Sequence, residues 1–414
     1  MMQKRRAFRL GVLSSLLALG IVCGFTPAAS ASSPSPVSFH AWSGPSLLQG
    51  QFDSGVMPMF EPQGRLAVSL KPGANIGTWT SPAYHSPAPI GDLVSSWQAK
   101  TPVGSWIETH LSVYVAGHWS GWYVMGKWAF ENTPALTRTS VDGQSDVDGT
   151  IYTDTYVAGD NGKPSDYRLQ VVFHSTSAAK PRLYQVAATT SNVGDAPATS
   201  ATTMDRTVDL MVPRLSQMTH QGEYPAYGGG GRVWCSPTST AMVVQYWGQG
   251  PSAADVASLP PDPVFDANHR ADGQVDWAAL HTWDATYEGA GNWPFNTAYA
   301  STYGLDGSVR QYATLQAVEG WIKRGVPVVA SIAWDNRKGA DIAKKLDGAA
   351  LDYSDGHLMV ITGFTKSGDV ITNDPAAPGN STVHRTYQRA QFEHNWLQYG
   401  AGATYVIKPL YLAG

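Results

Sequence analysis

Alternation of apolar and polar positions dominates the first half of the chain. Ile107, Thr109, Leu111, Val113 and Val115 alternate with Glu108, His110, Ser112 and Tyr114, the period-two pattern of a strand with one buried face. Shorter apolar runs at 66–70, 122–125 and 168–173 recur between turn residues, and many short strands separated by turns predict an all-β sandwich of jelly-roll type. Residues 39–188 are read as this domain. From 189 to 207 the periodicity gives way to Ala, Thr, Ser, Gly and Pro, the composition of an exposed linker.

Beyond 208 the pattern changes. Thr238, Ser239, Ala241, Met242, Val244 and Tyr246 carry helical turns from Cys235 to a stop at Gly248, with Pro237 just inside the start, where a missing amide costs nothing. Further helical patches fall at 275–282, at 315–324 before Gly325, and at 388–396. Apolar runs at 326–332, 358–364, 370–372 and 403–407 read as strands, the middle two joined as a hairpin across 366–369. Residues 259–266 read as a Pro/Asp-rich loop. Helices leading into a mostly antiparallel sheet make 208–414 an α+β domain.

A chain of 414 residues accommodates both domains. Net charge is only -4 and no basic run occurs, which argues against a nucleic-acid partner. Lys4, Arg5 and Arg6 precede an apolar run over 10–25 and a small-residue site at Ala29, Ser30 and Ala31, the layout of a signal peptide over 1–31. An exported, extracellular protein with no membrane span after signal removal is expected. Cys23 leaves with the signal, so the mature chain keeps one thiol, Cys235, in an oxidising compartment where an idle thiol is a liability. Trp42, Trp79, Trp97, Trp106, Trp119, Trp122 and Trp128 crowd the first domain. Core filling is the first reading for each, with contact to a polysaccharide or cell surface as the functional alternative. Residues 142–149 have acidic spacing but lack the terminal glutamate of a calcium loop, and are read as a turn.

Candidate chemistry gathers on Cys235. The helix N-terminus favours an anion, so a thiol there is biased toward thiolate, although a lone cysteine is as a rule a small buried hydrophobe. Acyl transfer by a thiol needs an imidazole, an acceptor to orient it and donors for the oxyanion. His357 opens the strand at 358–364, and Asp374, before Pro375, follows its partner strand. A strand-end histidine or an Asp-Pro turn is unremarkable singly; flanking one hairpin they form a pair. A tight hairpin sets Asp374 opposite Val360 or Ile361 rather than His357, and a bulge or wider turn would close the gap. His220, His269, His281, His384 and His394 have no acidic residue across a hairpin and rank behind. The Cys235 amide is one oxyanion donor; Gln217 is the side-chain candidate and Gln221 its alternative, each with a plain surface glutamine as the bland reading.

Val212-Pro213 with Ser216-Gln217, the run from Trp234 to Ser239 with Met242 and Tyr246-Trp247-Gly248, then Gly356-His357-Leu358 and Asn373-Asp374-Pro375, resemble the papain-like cysteine peptidases related to the double-glycine leader peptidases of bacteriocin exporters. The likeness is to the secreted actinobacterial branch with an N-terminal β-sandwich. The resemblance implies a papain-like C-terminal fold, a peptide or protein substrate, and no metal or cofactor in bond cleavage. It also implies Cys235 as nucleophile, His357 as base and acid, Asp374 as orienting acid and Gln217 as oxyanion donor. Ser236 stands where relatives often have glycine, which bears on cleft width more than on mechanism. With no transporter region in the sequence, the leader-processing role does not carry over. Competing readings are a cell-wall peptidoglycan amidase or endopeptidase, transfer to an amine in place of water, and a non-catalytic glycan- or surface-binding protein with a degenerate peptidase domain.

Overall fold

Strand Ser105–Val115 buries every second side chain through most of its length, as its alternation predicts, and pairs along its whole run with Asp166–Ser175. In the computed structural model, residues 35–412 are described apart from 63, 195–197 and 266–271. The stretch 1–31 expected to be a signal peptide, with Cys23, and also His269 lie outside the described residues. Two seven-stranded antiparallel sheets build the N-terminal domain. Asp92–Lys100 and Arg182–Ser191 lie in one sheet, and their sequence neighbours Ser105–Val115 and Asp166–Ser175 in the other, so the chain crosses repeatedly between sheets in jelly-roll fashion.

Trp42, Trp79, Trp97 and Trp128 are buried between the sheets or beneath them. Trp106, Trp119 and Trp122 are half-buried, and their faces are occupied: Trp106 stacks on His174 at 4.7 Å, while the Arg168 guanidinium lies 4.5 Å from the Trp119 ring and 4.8 Å from Trp122. The 142–149 stretch is a turn, with the Asp146 carboxylate accepting the amides of Asp148 and Gly149.

Residues 189–207 correct the linker expectation. Thr189, Thr190 and Ser191 finish strand Arg182–Ser191 and are buried. Farther on, Ser200 donates to Glu393, and Thr202 and Thr203 donate to Glu319. Glu319 is paired at 2.7 Å with Arg389. The small hydroxyl residues that read as loop composition are the donors that two buried carboxylates require.

The C-terminal domain centres on an antiparallel sheet in the order Leu305–Gln311, Ala403–Pro409, Val328–Asp335, Tyr353–Phe364, Val370–Asn373, His384–Tyr387. Helix Cys235–Tyr246 packs on it and is tied to the central strand by Ser239 Oγ donating to the Leu358 carbonyl at 3.0 Å. Helices Gly273–Thr282, Leu315–Lys323 and Arg389–Gly400 fall where periodicity predicts them. Helix Trp293–Thr302 was not evident in the pattern because Pro294 to Ala300 are all buried and no polar stripe marks a face.

That buried helix welds the domains together. Phe295 packs against Trp97 and Trp128, and one hydrophobic cluster runs from the sandwich through Phe295 to Cys235. Arg138, fully buried, donates to Ala129 and Phe130 in its own domain and to Leu280 and Trp283 in the other. Trp293 N–H reaches Asp154 of the sandwich at 2.7 Å.

Candidate active site

Cys235 is the first residue of its helix, and no side chain caps that end. Gly228, Gly229, Gly230 and Gly231 lead into it with φ of 86°, 76°, 58° and 52°. At Gly230 a Cβ would sit 1.8 Å from the His220 carbonyl oxygen. The glycines are needed for a left-handed path pressed against the 3-10 turn Gln217–His220.

His357 lies on strand Tyr353–Phe364 opposite Ile332. The ladder to the next strand pairs Val360 with Asn373 and Ile361 with Thr372, then skips Thr362 to pair Gly363 with Ile371. The turn is wider than a tight hairpin, with Phe364 paired to Val370, and the bulge shifts the register by one more. Asp374, one residue past Asn373, falls across from Met359, on the same face as His357 and diagonal to it. The diagonal is short enough for a direct bond: His357 Nε2 to Asp374 Oδ1 is 2.8 Å, both groups buried. Nδ1 is left for the other partner, the Cys235 sulfur, which lies close enough to act on the charge of the imidazole.

Electrostatics follow from these contacts. Burial opposes the thiolate, but the hydrogen bond and charge of His357 and the amides of Leu358 and Ser236 outweigh it and hold the Cys235 thiol below its ordinary value. Burial likewise opposes the imidazolium, but Asp374 and Cys235 overcome it and raise His357 to about 10. Asp374 is kept below the usual carboxylate range despite burial by His357, by the Tyr387 hydroxyl at 2.8 Å and by the Ala376 amide at 2.9 Å. Both shifts favour the thiolate–imidazolium pair over the neutral thiol and imidazole.

The two glutamines separate clearly. Gln217 is wholly buried, its backbone amide donates to the Pro375 carbonyl at 2.9 Å beside Asp374, and neither polar atom of its side chain has a hydrogen-bond partner. An orphaned buried amide calls for an explanation. Gln221 is exposed, with its amide against the Gly231 backbone.

Several site residues carried no legible signal. Tyr387 sits on the short polar strand His384–Tyr387, which periodicity missed. Trp334 follows a bulge after Ile332 and sets its ring edge-on to His357 at 5.3 Å, shielding the imidazole. Ser236 Oγ meets the buried Tyr405 hydroxyl at 2.8 Å. Burial first, then the charges of Cys235, Asp154 and Asp284, lift the Tyr287 phenol above its ordinary value, so Tyr287 and the sandwich's Asp154 share the thiol's surroundings. Of the lower-ranked histidines, His220, His281 and His384 do have acidic partners, Glu223 and Asp276, Glu131, and Asp209. All of these except His220–Glu223 join residues distant in sequence.

Comparison with known proteins adds the lineage. A family model described as the Peptidase C39 N-terminal domain matches residues 59–191, and one described as the Peptidase C39-like family matches 209–404. No curated protein matches the chain. Among solved structures, a Bacillus anthracis protein described as a C39-like peptidase is 15% identical over 49% of this chain and 98% of its own, with a TM-score of 0.30. The xylanase 10B modules of Clostridium thermocellum complexed with xylohexaose are 9% identical over 46% of this chain and 31% of theirs, TM-score 0.20. An α-1,3-glucanase catalytic unit from Streptomyces thermodiastaticus is 13% identical over 52% and 34%, TM-score 0.19. At these TM-scores the structural likenesses carry no argument. Among the described residues, no helix is long and apolar enough to cross a membrane.

Proposed function

Because the chain belongs to the C39 peptidase family, with the family's N-terminal domain ahead of its peptidase domain, we propose that it is an exported cysteine peptidase that hydrolyses peptide bonds through Cys235, His357 and Asp374. The observation that carries this reading is His357 held between two partners, the Cys235 sulfur and the Asp374 carboxylate. The Cys235 thiolate attacks the substrate carbonyl, forming a C–S bond and an oxyanion. The Cys235 amide and the Gln217 side chain stabilise that oxyanion, and His357 gives its proton to the leaving amine as the C–N bond breaks. His357 then takes a proton from water, which attacks the thioester and frees Cys235. Export rests on the residues of the signal peptide, and the peptide class of substrate on the family.

Intact-mass labelling of the mature protein with a cysteine-directed epoxysuccinyl reagent across pH tests the pair. Single modification of Cys235 well below the ordinary thiol pKa, lost in His357→Ala, is expected. Labelling no faster than that of the unfolded chain would sink the reading and leave a degenerate site.

A further inference from the structure

His220, Glu223 and Asp276 form a second buried cluster that acyl transfer does not use. Glu223 Oε2 lies 2.7 Å from His220 Nδ1 and Asp276 Oδ1 lies 2.9 Å from the same nitrogen. The three ligand atoms are within 4.8 Å of one another, and the residues are 0%, 3% and 0% exposed. One ring N–H cannot serve both carboxylates. It is directed to Glu223, and neither Asp276 oxygen has a hydrogen-bond donor, nor has His220 Nε2 a partner.

Charge sharpens the point. Two carboxylates around one imidazole leave a net negative charge in the interior even when the ring is protonated, and an uncompensated buried charge costs several kcal/mol. Without a cation, protons must make up the deficit. A neutral imidazole, two carboxylates and a divalent cation sum to zero.

We propose that this cluster is a structural zinc site, with His220 Nδ1, Glu223 and Asp276 as protein ligands and a water completing a tetrahedron. One nitrogen and two carboxylate oxygens suit Zn²⁺, whose bonds of about 2.0–2.2 Å place tetrahedral ligand atoms about 3.3 Å apart. The side chains open by roughly half an ångström to reach that spacing. Binding displaces the Nδ1 proton to solvent and forms the N–Zn bond in its place. Zinc over manganese follows from its higher place in the affinity order for such ligands.

The site joins two segments and touches a third. His220 ends the turn that begins at Gln217, its carbonyl abuts Gly230, and Asp276 comes from helix Gly273–Thr282. Zinc would clamp the shelf carrying Gln217 and the glycine approach to Cys235 while taking no part in bond cleavage. The assignment is independent of whether Cys235 is active.

The test uses the full mature chain carrying Cys235→Ala, since a thiolate and imidazole also bind zinc. After treatment with EDTA, addition of ZnCl₂ and gel filtration, elemental analysis should find about one equivalent of zinc, with a higher melting temperature. Adding Asp276→Asn, or separately Glu223→Gln, should remove both the retained zinc and the thermal shift, with circular dichroism confirming the fold. X-ray absorption at the zinc edge should find nitrogen and oxygen neighbours at about 2.0–2.1 Å and no sulfur. This spectrum keeps the proposal testable if a variant does not fold. Failure to retain zinc, or equal retention after Asp276→Asn, would overturn the proposal.

Discussion

The hydrogen bond from Tyr387 to Asp374 shows how much of the site's chemistry is set one residue away from the reacting atoms. With Asp374 held ionised by His357, Tyr387 and the Ala376 amide, His357 stays protonated up to about 10. The thiolate–imidazolium pair therefore exists above the depressed thiol pKa and below that of His357. Alkylation of Cys235 should fall on the acid side as the thiolate takes a proton, and on the alkaline side as the imidazolium loses one. Tyr387→Phe removes one donor from Asp374 and loosens its hold on the His357 ring, so kcat/KM on the neutral plateau should fall about tenfold, given about 1.5–3 kcal/mol for a hydrogen bond to a charged group. A pH–rate profile identical to that of the parent would contradict the linkage. Gln217 and Cys235 differ in kind: Gln217→Ala should keep slow acylation, about a hundred- to a thousandfold down, and Cys235→Ala should keep none. Rapid-quench detection of acyl-enzyme distinguishes the two.

At the level of elements, the site depends on two places where regular structure breaks. The Thr362 bulge moves Asp374 into diagonal reach of His357; without it a one-residue slip would turn the carboxylate to the other face. The glycine run is the other, and its members are unequal. Gly229, at φ 76°, has open space around its would-be Cβ, whereas Gly230, at φ 58°, meets backbone at 1.8 Å. Gly229→Ala should cost about 1 kcal/mol from left-handed backbone alone. Gly230→Ala has to displace the His220 turn and should cost several times more, with a matching loss of activity through Gln217. Equal melting temperatures for the two variants would show that the turn yields freely.

For the whole molecule, the sandwich is part of the peptidase's own core, since Trp97 and Trp128 pack on Phe295. Asp154 makes this union pH-sensitive. Burial, partly offset by the amide of Trp293, raises its carboxyl to about 6. The folded state then binds more protons than the unfolded chain between about pH 4 and pH 6, so stability falls as pH rises through that window. Asp154→Asn keeps an acceptor for Trp293 but never ionises. Its melting temperature should match the parent's near pH 4 and exceed it above pH 6, by a margin on the order of 2 kcal/mol. A difference that does not change with pH would rule out titration of Asp154 as its source.

Sequence alone determined what depends on local order. The alternation in Ser105–Val115 reports one buried face, the glycine, cysteine and proline run reports a helix start, and Leu358 to Thr372 reports a hairpin. These patterns named Cys235, His357, Asp374 and Gln217, which the fold then draws into one region. Tertiary structure decided the rest. Whether Asp374 reaches His357 turned on a single skipped residue, and whether Gln217 or Gln221 is the buried, unpartnered amide turned on which side of a 3-10 turn is covered. Tyr387, Trp334, Asp154 and the pairing of His220 with Asp276 were invisible because burial and charge pairing join segments far apart in the chain, and no local period records such a meeting. The same physics made residues 198–207 read as a linker: their hydroxyls are ordinary loop residues until two buried glutamates require them.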